Sequence, residues 1–283
     1  IVHPEARGAK QSGGGAMAIL TISRQYGSGG QELGRTVAER LGYDYVDKES
    51  LFAAIRQAGG RWREWAEGLD EQCPTTWERF DWSFRGFAAL VRSQILAEAT
   101  RDRVVIMGRG ANFLLAGVPH ALRVRVEAPL TVRQERLAAR EGVDAETARW
   151  LCKKVDHGRA CFLAAVYGRT GDDAADYDTV LAATGLDLTP LAEQVKAELA
   201  ARDRLWSEEA ARDLEMRALA ARVQAGLATD PHLFVPILEV AWTGEELVLS
   251  GVVHSVKEHQ RVEEAARRLA GEVPLSCALH YRR

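Results

Sequence analysis

Apolar and polar positions change period several times along this chain, and each change predicts an element. Residues 18–23, Ala-Ile-Leu-Thr-Ile-Ser, form an apolar run of strand length that ends in Gly27-Ser28-Gly29-Gly30. Leu33, Val37, Ala38 and Leu41 then recur at helical spacing, and Gly42 is placed to stop that helix. Residues 43–47 predict a second short strand, and 87–99 a helix through Leu90, Ile95 and Leu96. Residues 103–107 (Arg-Val-Val-Ile-Met) predict a strand whose unbroken apolar run suits a parallel sheet covered on both faces. Residues 122–128 alternate as another strand, and the helix that follows carries Pro129 in its first turn. Residues 144–167 read as one or two helices, 175–184 as a strand and 188–199 as an amphipathic helix. Strands and helices in alternation predict an α/β fold with a parallel sheet.

Beyond residue 200 the pattern is different. Residues 201–216 are highly charged and helical, the composition of a connector. Leu219, Val223 and Leu227 mark a helix, and 237–242 and 246–253 are strands joined through Thr243-Gly244-Glu245, a hairpin signal. A helix over 256–269 and a strand over 273–281 complete a small α+β unit. The expected organisation is therefore a disordered leader or expression remnant at 1–16 with Met17 as the natural start, an α/β domain at 17–200, a charged helical connector at 201–216, and an α+β domain at 217–283.

Composition narrows the function classes. With 47% hydrophobic and 27% charged residues, the 283-residue chain has the make-up of a soluble globular protein. A net charge of −3 gives no global basic field, so no nucleic-acid partner is expected. No apolar run reaches membrane-span length, and no transmembrane segment is expected. Cys73, Cys152, Cys161 and Cys277 show neither metal-ligand spacing nor a disulfide framework, and His232, His254, His259 and His280 also lack metal spacing. These features lead us to expect no metal-binding residues and a reducing, cytoplasmic compartment. Trp62, Trp65, Trp77 and Trp82 crowd a charged stretch, either as packing or as a stacking platform for a base.

Candidate chemistry begins at the first strand. A strand, a glycine loop and a helix N-terminus together make an anion site, because backbone N–H groups and the helix dipole converge there. The phosphate-loop pattern G-x-x-x-x-G-K-[ST] is not met: with Gly29 as its second glycine, Gly30 takes the lysine position and Gln31 the hydroxyl position. Arg109 follows the strand at 103–107, where ligands of open α/β sheets sit. Arg133, Arg136 and Arg140 share one helical face, either to surround phosphates or as a solvated face beside Glu135 and Glu141. Asp47 is either a helix cap or a ligand contact.

The string Ile22-Ser-Arg-Gln-Tyr-Gly-Ser-Gly-Gly-Gln-Glu-Leu-Gly34 resembles the opening of the cytidylate kinase-like family, a divergent branch of the nucleoside monophosphate kinases. Its usual loop is Arg-x-x-Gly-Ser-Gly-Gly, without the lysine. Gly108-Arg-Gly-Ala-Asn-Phe113 resembles the family's nucleotide-contacting motif, and Lys154-x-Asp156-x-x-Arg159 its lid signature. Residues 175–184 resemble its Tyr-Asp strand, although relatives usually place Asn-Thr where this chain has Ala183-Thr184.

The resemblance implies a P-loop kinase-like parallel sheet flanked by helices, with ATP and Mg²⁺ as cofactors and a nucleoside monophosphate such as CMP or dCMP as acceptor. In that reading Gly27, Ser28, Gly29, Gly30 and Gln31 hold the ATP phosphates. Arg24, Arg133 and Arg159 supply catalytic charge, with Arg159 the leading replacement for the lysine. Asp47, Lys48, Arg56, Arg109, Asp156 and Asp178 serve the acceptor, and Asp176 and Asp178 are also candidates for magnesium. Residues 217–283 resemble the BON domain, a mostly bacterial module associated with phospholipid or other ligands. Three readings stay open: a nucleoside monophosphate kinase, a nucleotide sensor without turnover that signals to the C-terminal module, and a kinase for another small acceptor.

Overall fold

The computed structural model describes residues 17–57, 73, 75, 81–185, 187–233, 235 and 237–281. Residues 1–16 and Trp62, Trp65 and Trp77, on which some of the expectations rest, lie outside the described residues.

Strands β1 (Ile19–Arg24), β2 (Asp44–Val46), β3 (Val104–Met107), β4 (Ala121–Glu127) and β5 (Thr179–Ala182) form a five-stranded sheet in the order β2-β3-β1-β4-β5. Every neighbouring pair is parallel, so the expected α/β architecture is present. Between the strands run α1 (Gly30–Leu41), α2 (Lys48–Gln57), α3 (Trp82–Ala99), the single turn α4 (Ala111–Leu114), α5 (Leu130–Glu141) and α6 (Ala145–Tyr167). Helix α7 (Thr189–Asp203) follows β5.

Period-two alternation explains how the sheet is covered. Val104 and Ile106 of β3 face one core with Leu51, Phe52 and Ile55 of α2 and Phe84, Phe87, Val91 and Ile95 of α3. Val105 and Met107 face the other core, with Leu33 and Val37 of α1 and Ala192, Val195 and Leu199 of α7. Each fully buried side chain of this size contributes about 1.5–3 kcal/mol. Trp82 packs at the edge of the first core.

The chain leaves β1 toward β2 on one side but leaves β3 toward β4 on the other. Beside that reversal lie the loops after β1 and β3, where an open α/β sheet offers its crevice.

The C-terminal unit is built from α8 (Glu208–Thr229), the antiparallel hairpin β6 (Ile237–Trp242) and β7 (Leu247–Val253), α9 (Val256–Ala270) and β8 (Leu275–Tyr281), which pairs parallel to β7. Gly251 is required where the hairpin strands meet, because a Cβ there would lie 2.5 Å from the Ile237 carbonyl oxygen. Helix α8 runs unbroken across residue 216. Leu214 and Ala221 join the core of the first domain, while Leu219, Val223 and Leu227 join the core under the small sheet. Asp213 strengthens this junction, accepting from Trp242 Nε1 at 3.0 Å and pairing at 2.7 Å with Arg217, which in turn donates to the Ala116 carbonyl at 3.0 Å.

Cys73 and Cys161 are joined by a disulfide across 88 positions, with their Cα atoms 5.2 Å apart. The sequence shows no disulfide framework and suggests a reducing compartment, because two single cysteines brought together by tertiary structure leave no spacing to read. Among the described residues, no helix is long and apolar enough to cross a membrane.

Candidate active site

Strand β1 carries the chain through the core and delivers Arg24 to its carboxyl end. The next residues turn sharply: Gly27 and Gly29 have φ of 78° and 85°, which glycine adopts without the steric cost of a Cβ. Helix α1 begins at once, with Gly29 as its N-cap and no side chain capping it. Its first internal bond runs from the Leu33 N–H to the Gly29 carbonyl at 2.9 Å, so the N–H groups before Leu33 point out of the helix end. Ser28 is fully buried, and its Oγ has no hydrogen-bond partner among the described residues.

Side chains from α5 and α6 hold this loop from outside. Asp156 accepts from the Tyr26 N–H at 2.7 Å and pairs with Arg133 at 2.5 Å, while Arg133 also donates to the Tyr26 carbonyl. Arg136 donates to the Ser28 carbonyl at 2.6 Å and also to the Gly185 carbonyl. Arg140 pairs with Glu32 at 3.2 Å and its guanidinium lies over the Tyr26 ring. The three-arginine face read from the sequence therefore grips loop and helix atoms here. Arg133 and Asp156 act as positioning residues in this arrangement. Asp156→Ala should strip the acceptor from both Arg133 and the Tyr26 N–H, destabilising the chain by about 2–3 kcal/mol in chemical denaturation, below the cost of breaking a fully buried pair.

Arg24 and Arg109, at the ends of β1 and β3, and Arg159 of α6 form a second group of cations coupled to one another. Arg109 sits between Gly108 and Gly110 at the end of β3, and all three residues have positive φ (68°, 57° and 79°). A non-glycine residue in that region is uncommon, and such strain gathers at functional sites. The strain is held by Tyr167, whose OH donates to the Arg109 carbonyl at 2.8 Å and whose ring leaves no room for a side chain at position 110. The Arg109 guanidinium lies 5.0 Å from the Phe52 ring centroid and 4.9 Å from that of Phe162. Arg159 Nη1 donates to the Arg24 carbonyl at 3.1 Å and its guanidinium lies over the Tyr26 ring.

These three guanidiniums raise one another's cost of being charged. Burial, then Arg109, pulls Arg24 down to about 10. Burial, then Arg159, pulls Arg109 down to about 10. Burial, then Arg24, pulls Arg159 down to about 9. Among the described residues, neither Arg24 nor Arg159 has a carboxylate ion-pair partner. All three remain protonated at neutral pH, leaving concentrated positive charge beside a glycine loop.

The remaining predicted residues divide. Asp47 caps α2, accepting from the Ser50 N–H at 3.2 Å, and lies 4.0 Å from Arg35. Asp47 and Glu49 nonetheless send negative potential to Arg24, so α2's first turn faces the cluster. Lys48 Nζ lies 5.6 Å from the Phe52 ring that Arg109 also meets. Arg56 is exposed in the last turn of α2, roughly 13 Å along the helix from Asp47.

Asp178 is engaged elsewhere. It pairs with Arg123 at 2.9 Å and Arg202 at 3.2 Å, beside the point where Arg123 is level with Thr21, about 10 Å along the sheet from Arg24. Asp176 is buried and paired with Arg169. Gln31 follows Gly30 in the first turn of α1. Sequence reasoning missed Phe52, Phe162 and Tyr167, which shape Arg109. The signal was present in Phe52 falling four residues after Lys48 and Phe162 three after Arg159, each on a shared helical face.

Comparison with known proteins agrees with this geometry. The profile of the Cytidylate kinase-like family matches residues 19–184, from the start of β1 to just past β5. A cytidylate kinase of Methanopyrus kandleri is 30% identical over 171 residues, 58% of this chain and 83% of that protein. A cytidylate kinase of Pyrococcus horikoshii is 29% identical over 164 residues, 58% of this chain and 78% of that protein. An uncharacterized protein from Eubacterium ventriosum shares the fold at a TM-score of 0.52 and 21% identity, over 65% of this chain and 99% of its own. Through residues 19–184, this chain belongs to the cytidylate kinase-like family.

Proposed function

We propose that the first domain transfers the γ-phosphoryl group of ATP to a nucleoside monophosphate of the CMP or dCMP class. The observation that carries this reading is the crowding of Arg24, Arg109 and Arg159 where β1 and β3 end, each depressed by burial and by another of the three. A polyphosphate relieves that repulsion, which makes the cluster a built anion site rather than a stabilising feature of the empty fold. The residues suit ATP: the left-handed glycines put no side chain of their own on the loop, and the Ser28 hydroxyl has no partner among the described residues.

Mg²⁺ keeps most of its waters and travels with the phosphates, and Asp47, Glu49 and Asp156 are carboxylates whose potential reaches Arg24 or Arg159. When bound, ATP·Mg²⁺ supplies the transferable phosphoryl group and neutralises part of its charge. The chain's own residues then position and stabilise. Loop N–H groups hold the phosphates, and Arg159 and Arg24 supply the positive charge that a lysine gives in the usual phosphate loop. Arg109, flanked by Phe52 and Phe162, meets the acceptor's phosphate. Such chemistry is mainly positioning and electrostatics, so guanidiniums can replace an ammonium group.

The test is ADP formation from ATP and Mg²⁺ with a panel of nucleoside monophosphates. Turnover with CMP or dCMP is expected. ATP binding without ADP formed on any acceptor would leave the sensor reading, which the sharing of α8 between the two cores favours. In that case occupancy of the loop would be relayed to residues 217–283. Their helix–hairpin–helix–strand order supports a BON-like module for a phospholipid or other small ligand.

A pH prediction follows from the same arginines. Their depressed values mean that ATP affinity is fully present up to about pH 8 and declines as Arg159 deprotonates at about 9, then Arg24 and Arg109 at about 10. Between about 9 and the ordinary value of 12.5 the unfolded chain binds more protons than the folded one, so these groups' contribution to apo stability rises with pH. Thermal melts should therefore show the gain in Tm on adding ATP shrinking between pH 8 and 10. A gain that stays constant across that range would show that the three guanidiniums hold their protons up to about pH 10.

A further inference from the structure

Outside the loop site, metal-binding side chains from two distant segments meet. His157 and Cys161 lie one turn apart on α6, and Cys73 reaches them from the region before α3. The three donor atoms all lie within 4.8 Å of one another. His157 Nε2 is 3.4 Å from Cys73 Sγ and 3.6 Å from Cys161 Sγ. In a tetrahedral zinc site, Zn–S of about 2.3 Å and Zn–N of about 2.0–2.1 Å put nitrogen and sulfur roughly 3.6 Å apart. The histidine is already at ligand spacing from both sulfurs. His157 is exposed and the two cysteines are partly so, which leaves an entry path and room for a water.

We propose that Cys73, His157 and Cys161 form a three-ligand site for Zn²⁺ when the two cysteines are reduced, with water in the fourth position. A thiol reductant opens the disulfide by supplying two electrons and two protons, giving two thiols. The metal then displaces both thiol protons, and neutral His157 binds through Nε2. The sulfurs need part only to about 3.8 Å to complete the tetrahedron. Two thiolates cancel the charge of the cation, and their softness selects Zn²⁺ over the Mg²⁺ that accompanies ATP. Disulfide and metal exclude each other, since the thiolate is the metal ligand. Either one ties Cys73 to α6, the helix that also presents Asp156 and Arg159 to the loop.

Cobalt titration of the full-length chain tests this, with the protein reduced and the reductant removed under anaerobic conditions. One equivalent of Co²⁺ should bind with a thiolate-to-cobalt charge-transfer band in the near ultraviolet, and Zn²⁺ should bleach it. The oxidised chain should give no band. His157→Ala, at an exposed helix position, should weaken binding about a hundredfold, because a zinc site divides its binding free energy among few donors. Cys152→Ser and Cys277→Ser should leave the titration unchanged. No band in the reduced chain, an undiminished affinity in His157→Ala, or a band that disappears with Cys152 or Cys277 would overturn the assignment and leave a disulfide only.

Discussion

Gly29→Val is expected to abolish the thermal stabilisation that ATP gives this chain, and to lower kcat/KM by at least about a hundredfold. Position 29 has φ of 85°, a region that a β-branched residue enters only with strain. The new Cβ would also stand 2.9 Å from Leu188 Cδ1, but that methyl can rotate away, so strain decides the outcome. The chain relieves it by rotating the peptide planes around residue 29, which turns the loop N–H groups away from the phosphates. At a hundred times Kd, ATP stabilises its binder by about 2.7 kcal/mol, a readily measured shift in Tm that the variant should lack. Gly142→Val is the matched control. Gly142 has φ of 68° with no atom within 4 Å of an added Cβ, so it should lose stability through strain yet keep the ATP shift. Should Gly29→Val respond to ATP as the wild type does, the loop is not the polyphosphate site.

The parts of this structure that could be read in advance are those governed by local period. β1 and β3 announced themselves because strands covered on both faces are largely apolar, β4 by its alternation, and Gly42 stopped α1 as a left-handed C-cap. Helix α8 was harder. Its first half reads as a charged connector, yet Leu214 and Ala221 serve one core while Leu219 and Val223 serve another. Two apolar stripes on different sides of one helix blur the single-face periodicity that sequence reading depends on.

The site divides in the same way. The glycines and Arg109 were legible because a glycine loop after a strand has few physical meanings. The task of Asp156 was not, since a carboxylate that anchors a loop N–H and one that binds a ligand look the same in sequence. The pairing of Asp178 with Arg123 and Arg202, like the meeting of Cys73 with Cys161, depends on which strands and helices become neighbours.

Arg159→Ala is expected to reduce kcat by about a thousandfold or more, the scale on which a guanidinium placed against a transferring phosphoryl group acts. Its effect on stability should run the other way from that of an ordinary buried residue. Arg159 is held charged against burial and against Arg24, so removing it relieves repulsion while losing one hydrogen bond, to the Arg24 carbonyl, worth about 1 kcal/mol. The apo Tm should therefore stay close to wild type as activity collapses. KM for ATP should change only a few-fold, since the loop N–H groups and Arg24 remain. Arg159→Lys should fall between, keeping the charge but losing the planar fork that spans two oxygens. A variant that lost stability and ATP affinity in step with kcat would mark Arg159 as a structural prop for the loop, and one that kept kcat would take it out of the chemistry. The expected split between rate and stability has a single physical source. One turn of α6 anchors the loop through the carboxylate of Asp156 and, three residues on, offers a guanidinium with no carboxylate partner among the described residues, so the charge that the fold bears at a cost is the charge available to the transition state.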